Sequence, residues 1–596
     1  MQNVEHQTRA TRLAVGFLLA CLILFMVLGA YQLRLPGLHY DEAKEAGLNA
    51  MELITGKPVT AFRDATVEVG PWQLPLMVQD YIGALNVILT VPFLAIGGVN
   101  VVALRWLSLL TGALTLVVTW RVAWRLGGPV AASATALLLA VNPAFVFWSR
   151  QGIYVTNLTA LILMTSLLTG LRWWELRRPR DLWLTAFLCG LGVYAKLLFV
   201  WAIGAMLVVA GIAWLLEARS SRIETRRPAP RAWKRSALNL ALTLIFFFVP
   251  LTPLVIFNLR TSGTLDSIFG NLGQSYYGVN NSAYLPNLLT RLSQLVKLLR
   301  AEHLGYLGGP YSNAWAPWLL LCLLLVGGLT LGLDAYKLRR RGAGSPGSIS
   351  APSSSTTPPG RTAPWWCALA PPLLLVLIVA QSAFTVSDLF ITHYAILVPL
   401  IPLTGGLAFG VIWEWGRAGV EKQGSQGSRG RHGVPAPRLF GALALIALIA
   451  WAGGDLVTDI RYHRALAATG GHGSHSDAIY ALAGHLDEAK FTPPVALDWG
   501  LDAQIRFLTA GRVQPTEVFG YDSLDAPDPG YAERINKLLD NPNTLYLAHL
   551  PEYTVFRERV NTLADLASKR GLTLRQRAIY TERDGTPLII MYRAEK

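Results

Sequence analysis

Apolar runs of about 20 residues recur from residue 13 to residue 451, separated by short polar or basic loops. Wound as helices, runs of that length cross the hydrocarbon core of a bilayer. The pattern predicts about eleven spans, over residues 13–33, 101–120, 130–148, 155–171, 182–196, 198–216, 238–257, 316–333, 366–384, 395–415 and 439–451. The stretch 74–97 is also apolar, but a crossing there would put Arg121 and Arg125 on the side opposite every later basic loop. It is therefore expected to be a short interfacial helix, 75–82, followed by an outer or re-entrant piece. After Asp455 the periodicity changes. Strand-like stretches (494–497, 544–548, 587–592) alternate with helical ones (476–489, 531–539, 554–570).

The expected fold class is an all-α polytopic membrane protein with outer-face juxtamembrane helices, residues 1–455. A small extracytoplasmic α/β domain, residues 456–596, follows it. Composition agrees: of 596 residues, 52% are hydrophobic and 15% charged, outside the range of ordinary soluble chains. The net charge of +15 could suggest a nucleic-acid partner, but its placement excludes that reading. Arg172, Arg177, Arg178 and Arg180, the run 219–235, and Lys337 to Arg341 all fall in loops on one side of the alternation, as cytoplasmic loops do. Arg9 and Arg12 put the N-terminus on that side, and the first span reads as a retained anchor. Two Gly/Ser/Pro-rich stretches, 337–364 and 416–438, are cytoplasmic linkers. Cys21, Cys189, Cys322 and Cys367 lie inside apolar runs without metal-ligand spacing.

With sidedness assigned, the outer loops are 34–100 and 258–315. The first holds His39-Tyr40-Asp41-Glu42-Ala43, two adjacent carboxylates at the mouth of a span. Residues 41–55 have helical composition and stop at Gly56-Lys57-Pro58, so Asp41 can also be read as a helix cap. Ionisable residues gather at the outer ends of spans and are nearly absent from their middles. A transporter or lipid flippase would carry them at the midplane. A non-enzymatic envelope-assembly protein leaves the outward acids and arginines without a role. A reaction site at the outer face fits best.

The acidic stretch resembles the first-outer-loop motif of GT-C membrane glycosyltransferases: protein O-mannosyltransferases, aminoarabinose transferases and RgtA/B/C/D-like enzymes. The resemblance continues through Ala103-Leu104-Arg105-Trp106-Leu107-Ser108, Asn142-Pro143 with Trp148-Ser149-Arg150, the Gly-rich run Gly190 to Lys196, and His393-Tyr394 with Pro399 and Pro402. It implies a polyprenyl-phosphate sugar donor and inverting transfer to a glycan, lipid or protein acceptor. Trp72-Gln73-Leu74-Pro75 departs from the aminoarabinose transferases, and the outer loop lacks a second acidic pair expected of O-mannosyltransferases, so the acceptor class stays open. Such a transfer needs a base, for which Asp41 is the candidate, with Glu42 orienting it or holding a metal. It also needs cations to meet the leaving phosphate, for which Arg150, Lys196 and Arg63 are candidates. Tyr276, Tyr277, Trp72 and His393 are candidates for contacting the sugar, although aromatic residues at this depth also serve as interface belts. A divalent metal, held by Glu42 and His303, is a further expectation; no other cofactor is expected.

Overall fold

The computed structural model describes residues 2–151, 156–220, 230–275, 277–342, 368–385, 387–424, 436–489 and 493–596. The central parts of both expected linkers, and Tyr276, lie outside the described residues. Helix fills most of the described part of each expected span. Six helices are long and apolar enough to cross a membrane, from Arg9–Ala30 to Arg438–Thr469. A seventh is added if the pair Ile391–Leu397 and Leu400–Arg417, bent by 43°, counts as one span. The remaining expected spans are occupied by helices such as Thr156–Leu176, Pro179–Ala195 and Ala370–Ser382. The chain is a multi-pass membrane protein.

Two chemical details shape the bundle. The helix Val101–Ala140 breaks at Gly128, whose φ of 78° favours glycine, and Pro129 follows, so the segment acts as two limbs of a hairpin. The outward limb packs tightly against the helix Leu400–Gly424. A Cβ on Gly406 would lie 2.1 Å from Thr135 Oγ1, and one on Gly410 would lie 2.7 Å from Ala131 Cβ. Small residues let two backbones approach where lipid offers no hydrophobic drive to association.

The first outer loop differs from expectation in one place. Residues 75–82 are not a helix. They belong to two hairpins: β1 (Thr66–Val69) with β2 (Trp72–Pro75), and β3 (Met77–Gln79) with β4 (Ile82–Gly83). Gly70-Pro71 and Asp80-Tyr81 supply the two turns, and the β-branched Thr66, Val67, Val69, Val78 and Ile82 favour strands over a helix. The helix comes later, at Leu85–Gly97, and its 13 residues are too short to span, as the charge argument required.

The expected domain boundary at 455/456 falls inside a continuous helix, Ala436–Thr469, which rises out of the bundle. Beyond it β5 (Val495–Ala496), β6 (Thr516–Glu517), β7 (Leu545–His549), β8 (Thr573–Thr581) and β9 (Pro587–Glu595) form one sheet in the order β6-β5-β7-β9-β8. The β6-β5-β7 part is parallel and the β7-β9-β8 part antiparallel. Leu482, Leu486 and Ile505 belong to one of its apolar layers, and Tyr531, Ile535 and Leu563 to a second. Ala503 and Phe507 leave these layers and join the core that contains Ala46 and Leu104 of the membrane part. The domain is thereby seated on the acidic loop.

Candidate active site

The acidic motif begins a helical run built of three pieces: Tyr40–Glu42, a π-helical turn Ala43–Gly47, and Leu48–Thr55. His39, not Asp41, is the N-cap. Its backbone is extended, and its Nδ1 accepts from the Asp41 N–H at 3.2 Å. Glu42, at the third helical position, accepts from the His39 N–H in return. This is a capping box with Asp41 between its two halves.

The two carboxylates face different surroundings. Glu42 is fully buried and receives both Nε (2.7 Å) and Nη2 (2.9 Å) of Arg105, itself fully buried. Arg105 also donates to the carbonyls of Leu33 and Pro36, each at 2.9 Å. Glu42 is therefore the anchor that ties the acidic turn to the long hairpin. The Asp41 side chain keeps 24% exposure. A π turn shifts the phase of the residues after it, and here Glu45 is buried within reach of Gln79, and within Coulombic range of Lys196.

Lys196 follows the helix Pro179–Ala195 with extended backbone, where Gly192 accepts its N–H. Its buried side chain interacts electrostatically with Glu45 and Asp41. The neighbouring Tyr194 hydroxyl donates to the Leu76 carbonyl at 3.0 Å and accepts from the Ala84 N–H at 3.2 Å, and the Leu197 N–H reaches the Tyr81 carbonyl at 2.9 Å. These bonds hold the outer hairpins against the helix end that carries the lysine. Behind Lys196 stands His393, buried, with Nδ1 3.3 Å from Arg291 Nη2. Arg291 is fully buried and donates to the Ser382 and Phe390 carbonyls. Tyr277 stacks edge-on against Phe390 with centroids 5.3 Å apart. Tyr81 interacts electrostatically with Glu45, Tyr277, Asp41 and Asp80, and burial followed by Glu45 raises its hydroxyl pKa. Asp41, Glu45, Tyr81, Lys196, Tyr277, His393 and Arg291 therefore form one cluster at the end of the bundle that carries the C-terminal domain.

Other candidates are placed elsewhere. Arg150 is fully buried, and its Nη2 donates to the carbonyls of Tyr31 and Gln32 at 2.6 Å and of Leu35 at 3.2 Å; Nη1 lies 3.2 Å from His463 Nδ1. Its guanidinium thus braces the turn that follows the first helix. Arg63 pairs with Asp80 at 2.8 Å. Trp72 pairs with Val69 beside the turn of the β1–β2 hairpin and is 42% exposed. His303 is buried against Trp148, with ring centroids 4.7 Å apart. With Glu42 engaged by Arg105, the Glu42–His303 metal site does not form. Among the described residues no group of three or more His, Cys, Asp or Glu side chains is disposed to hold a metal ion.

Sequence reasoning passed over Glu45, Tyr81 and Arg291. Glu45 is one more acid in the same outer loop, but the π turn that buries it beside Lys196 has no signal in the sequence. Arg291 lies in the amphipathic helix Tyr284–Arg300 and had none.

Residues 88–250 match the family described as dolichyl-phosphate-mannose-protein mannosyltransferase. No curated protein matches the sequence. The fold is similar to that of ArnT from Cupriavidus metallidurans. The apo structure gives a TM-score of 0.56 at 14% identity, covering 98% of both chains. The structure bound to undecaprenyl phosphate gives 0.55 at 15% identity, with the same coverage. At such identity the structural likeness speaks for the fold, while the family match falls on the segment carrying Arg105 and Lys196. Residues 88–250 thus resemble that mannosyltransferase family, and the whole chain shares the ArnT fold.

Proposed function

We propose that the protein transfers a sugar from a polyprenyl-phosphate donor to a hydroxyl-bearing acceptor on the extracytoplasmic face, with inversion at the anomeric carbon. The observation that carries this reading is the partly exposed Asp41 in Coulombic range of a buried Lys196, with Glu45 beside them, at the outer end of the bundle. The lipid tail lies between the spans, the phosphate meets Lys196, and the sugar sits under the acidic turn. That ArnT binds undecaprenyl phosphate in a fold of this kind supports the donor class.

In the transfer, Asp41 takes the proton of the acceptor hydroxyl as its oxygen attacks the anomeric carbon. The bond from that carbon to the phosphate oxygen breaks, and the electron pair leaves with the phosphate. Lys196, held in a site with little water, meets that growing charge. Glu45 keeps the lysine cationic in the absence of donor. Tyr277 and Tyr81 flank the sugar. No step runs through a metal.

The test is incubation of the purified protein with radiolabelled polyprenyl-phosphate sugars, a panel of hexoses and pentoses, and an envelope extract as acceptor. Free polyprenyl phosphate is expected only when acceptor is present. Asp41→Asn is expected to abolish transfer while donor binding persists, and near-normal turnover by that variant removes Asp41 from the role of base.

A further inference from the structure

His39 is an unusual choice for a helix cap. Serine, aspartate or asparagine would cap as well or better. An imidazole adds a flat face, and that face is used. The His39 ring stacks on His475 with centroids 4.4 Å apart and 18° between planes, and His475 stacks on Tyr306 at 4.0 Å and 25°. Trp499 closes the edge of His39 at 5.5 Å. Three separate regions of the chain meet in this column: the acidic loop, the second outer loop and the C-terminal domain. All three stacked side chains are deeply buried.

We infer that His39 is a positioning residue for Asp41: its neutral imidazole holds the turn that presents the Asp41 carboxylate, and the C-terminal domain holds the imidazole through His475. The inference rests on the reading of Asp41 as the base. An imidazole accepts a hydrogen bond at Nδ1 only while that nitrogen is unprotonated. The cap therefore requires the neutral ring. The charged and titratable groups around the column come from four regions of the chain. Asp41, Glu42 and Tyr40 lie on its own turn, Arg105 comes from the long hairpin, and Tyr306 from the second outer loop. His475, Tyr480, Asp502 and Glu517 come from the C-terminal domain. Arg105 opposes a further positive charge on His475, as His39 does, and burial lowers both imidazoles, with Asp41 alone pulling His39 upward. Below their ordinary range, protonation at Nδ1 removes the acceptor for the Asp41 N–H, and the turn loosens.

The test uses the full chain in nanodiscs, the radiolabelled polyprenyl-phosphate sugar that the wild type turns over, and the variants His39→Ala, His39→Asn, His475→Ala and Asp41→Asn. His39→Ala is expected to lower kcat on the order of 10- to 100-fold through misplacement of the base, with donor affinity within about twofold of wild type. His39→Asn, whose Oδ1 stands where Nδ1 stood, is expected to recover most of that loss and to carry the acid limb of the kcat profile to lower pH. His475→Ala is expected to lower kcat while leaving donor affinity unchanged. The inference is overturned if His39→Ala turns over within about twofold of wild type. It is equally overturned if His39→Asn is no better than His39→Ala while both remain monodisperse and bind donor, or if the His39→Asn acid limb coincides with that of wild type. An inactive Asp41→Asn beside a fully active His39→Ala sinks the positioning role alone. An active Asp41→Asn, or a wild type that turns over no sugar of the panel, sinks the transferase mechanism beneath it.

Discussion

Arg105 and Lys196 are both buried cations facing carboxylates, yet the chemistry around them differs. Arg105 has a bidentate acid and main-chain carbonyls to absorb its donors, so its charge is spent inside the protein. Removing one member of such a pair leaves a buried charge alone, at a cost of about 3–5 kcal/mol. Arg105→Met is therefore expected to lower the melting temperature sharply, and activity with it. Among the described residues Lys196 forms no ion pair, its acidic company being the longer-range Glu45 and Asp41, and burying an ammonium so weakly compensated opposes folding. Lys196→Met is thus expected to leave the melting temperature equal or higher while kcat drops on the order of 100-fold. Thermal unfolding and turnover measured side by side separate the two roles, and the opposite pattern would exchange them.

Among the elements, the turn that follows the first helix is the most heavily tied. Residues 31–37 give carbonyls to Arg105 and Arg150, and Gly37 gives its N–H to the carbonyl of His475 at 2.8 Å. Arg150→Leu should therefore reduce stability by a few kcal/mol, the penalty for orphaned carbonyls in a dry interior. Donor affinity, measured by binding of the labelled lipid, should stay within about twofold of wild type. A tenfold loss of affinity would return Arg150 to the phosphate. In sequence, an arginine that satisfies helix-end carbonyls and one that binds phosphate look alike, since both stand at the outer end of an apolar run. The spans were legible because a bilayer demands long apolar runs, and the charge alternation kept 74–97 from crossing. The hairpin β3–β4 was hidden because its residues fall within the apolar stretch 74–97. The π turn that brings Glu45 to Lys196 has no sequence signal, because it depends on what the helix packs against.

For the whole molecule, the question is how the C-terminal domain stays on the acidic loop. Its contacts there are polar as well as apolar. Arg506 reaches Glu52 at 2.9 Å, Lys57 donates to the Ala510 carbonyl at 2.9 Å, and the Tyr40 hydroxyl donates to Glu517 at 3.2 Å. Asp502 sits among them, and its carboxyl is pushed up to about 6, first by burial and then by Glu517, with Arg506 and Lys44 pulling the other way. An acid whose pKa is raised on folding binds more protons folded than unfolded. Its contribution is present in acid and is lost as the pH rises through about 6, the reverse of the stacked histidines. Asp502→Asn, which cannot ionise, should therefore be more stable than wild type at pH 7.5 by on the order of 2 kcal/mol, with the difference shrinking toward pH 5. Thermal unfolding of the full chain across that range measures it. Curves that stay parallel from pH 5 to 7.5 would mean that Asp502 keeps its ordinary ionisation, and that the domain is held by Phe507, the ion pairs and the His39–His475 stack without strain from this carboxylate.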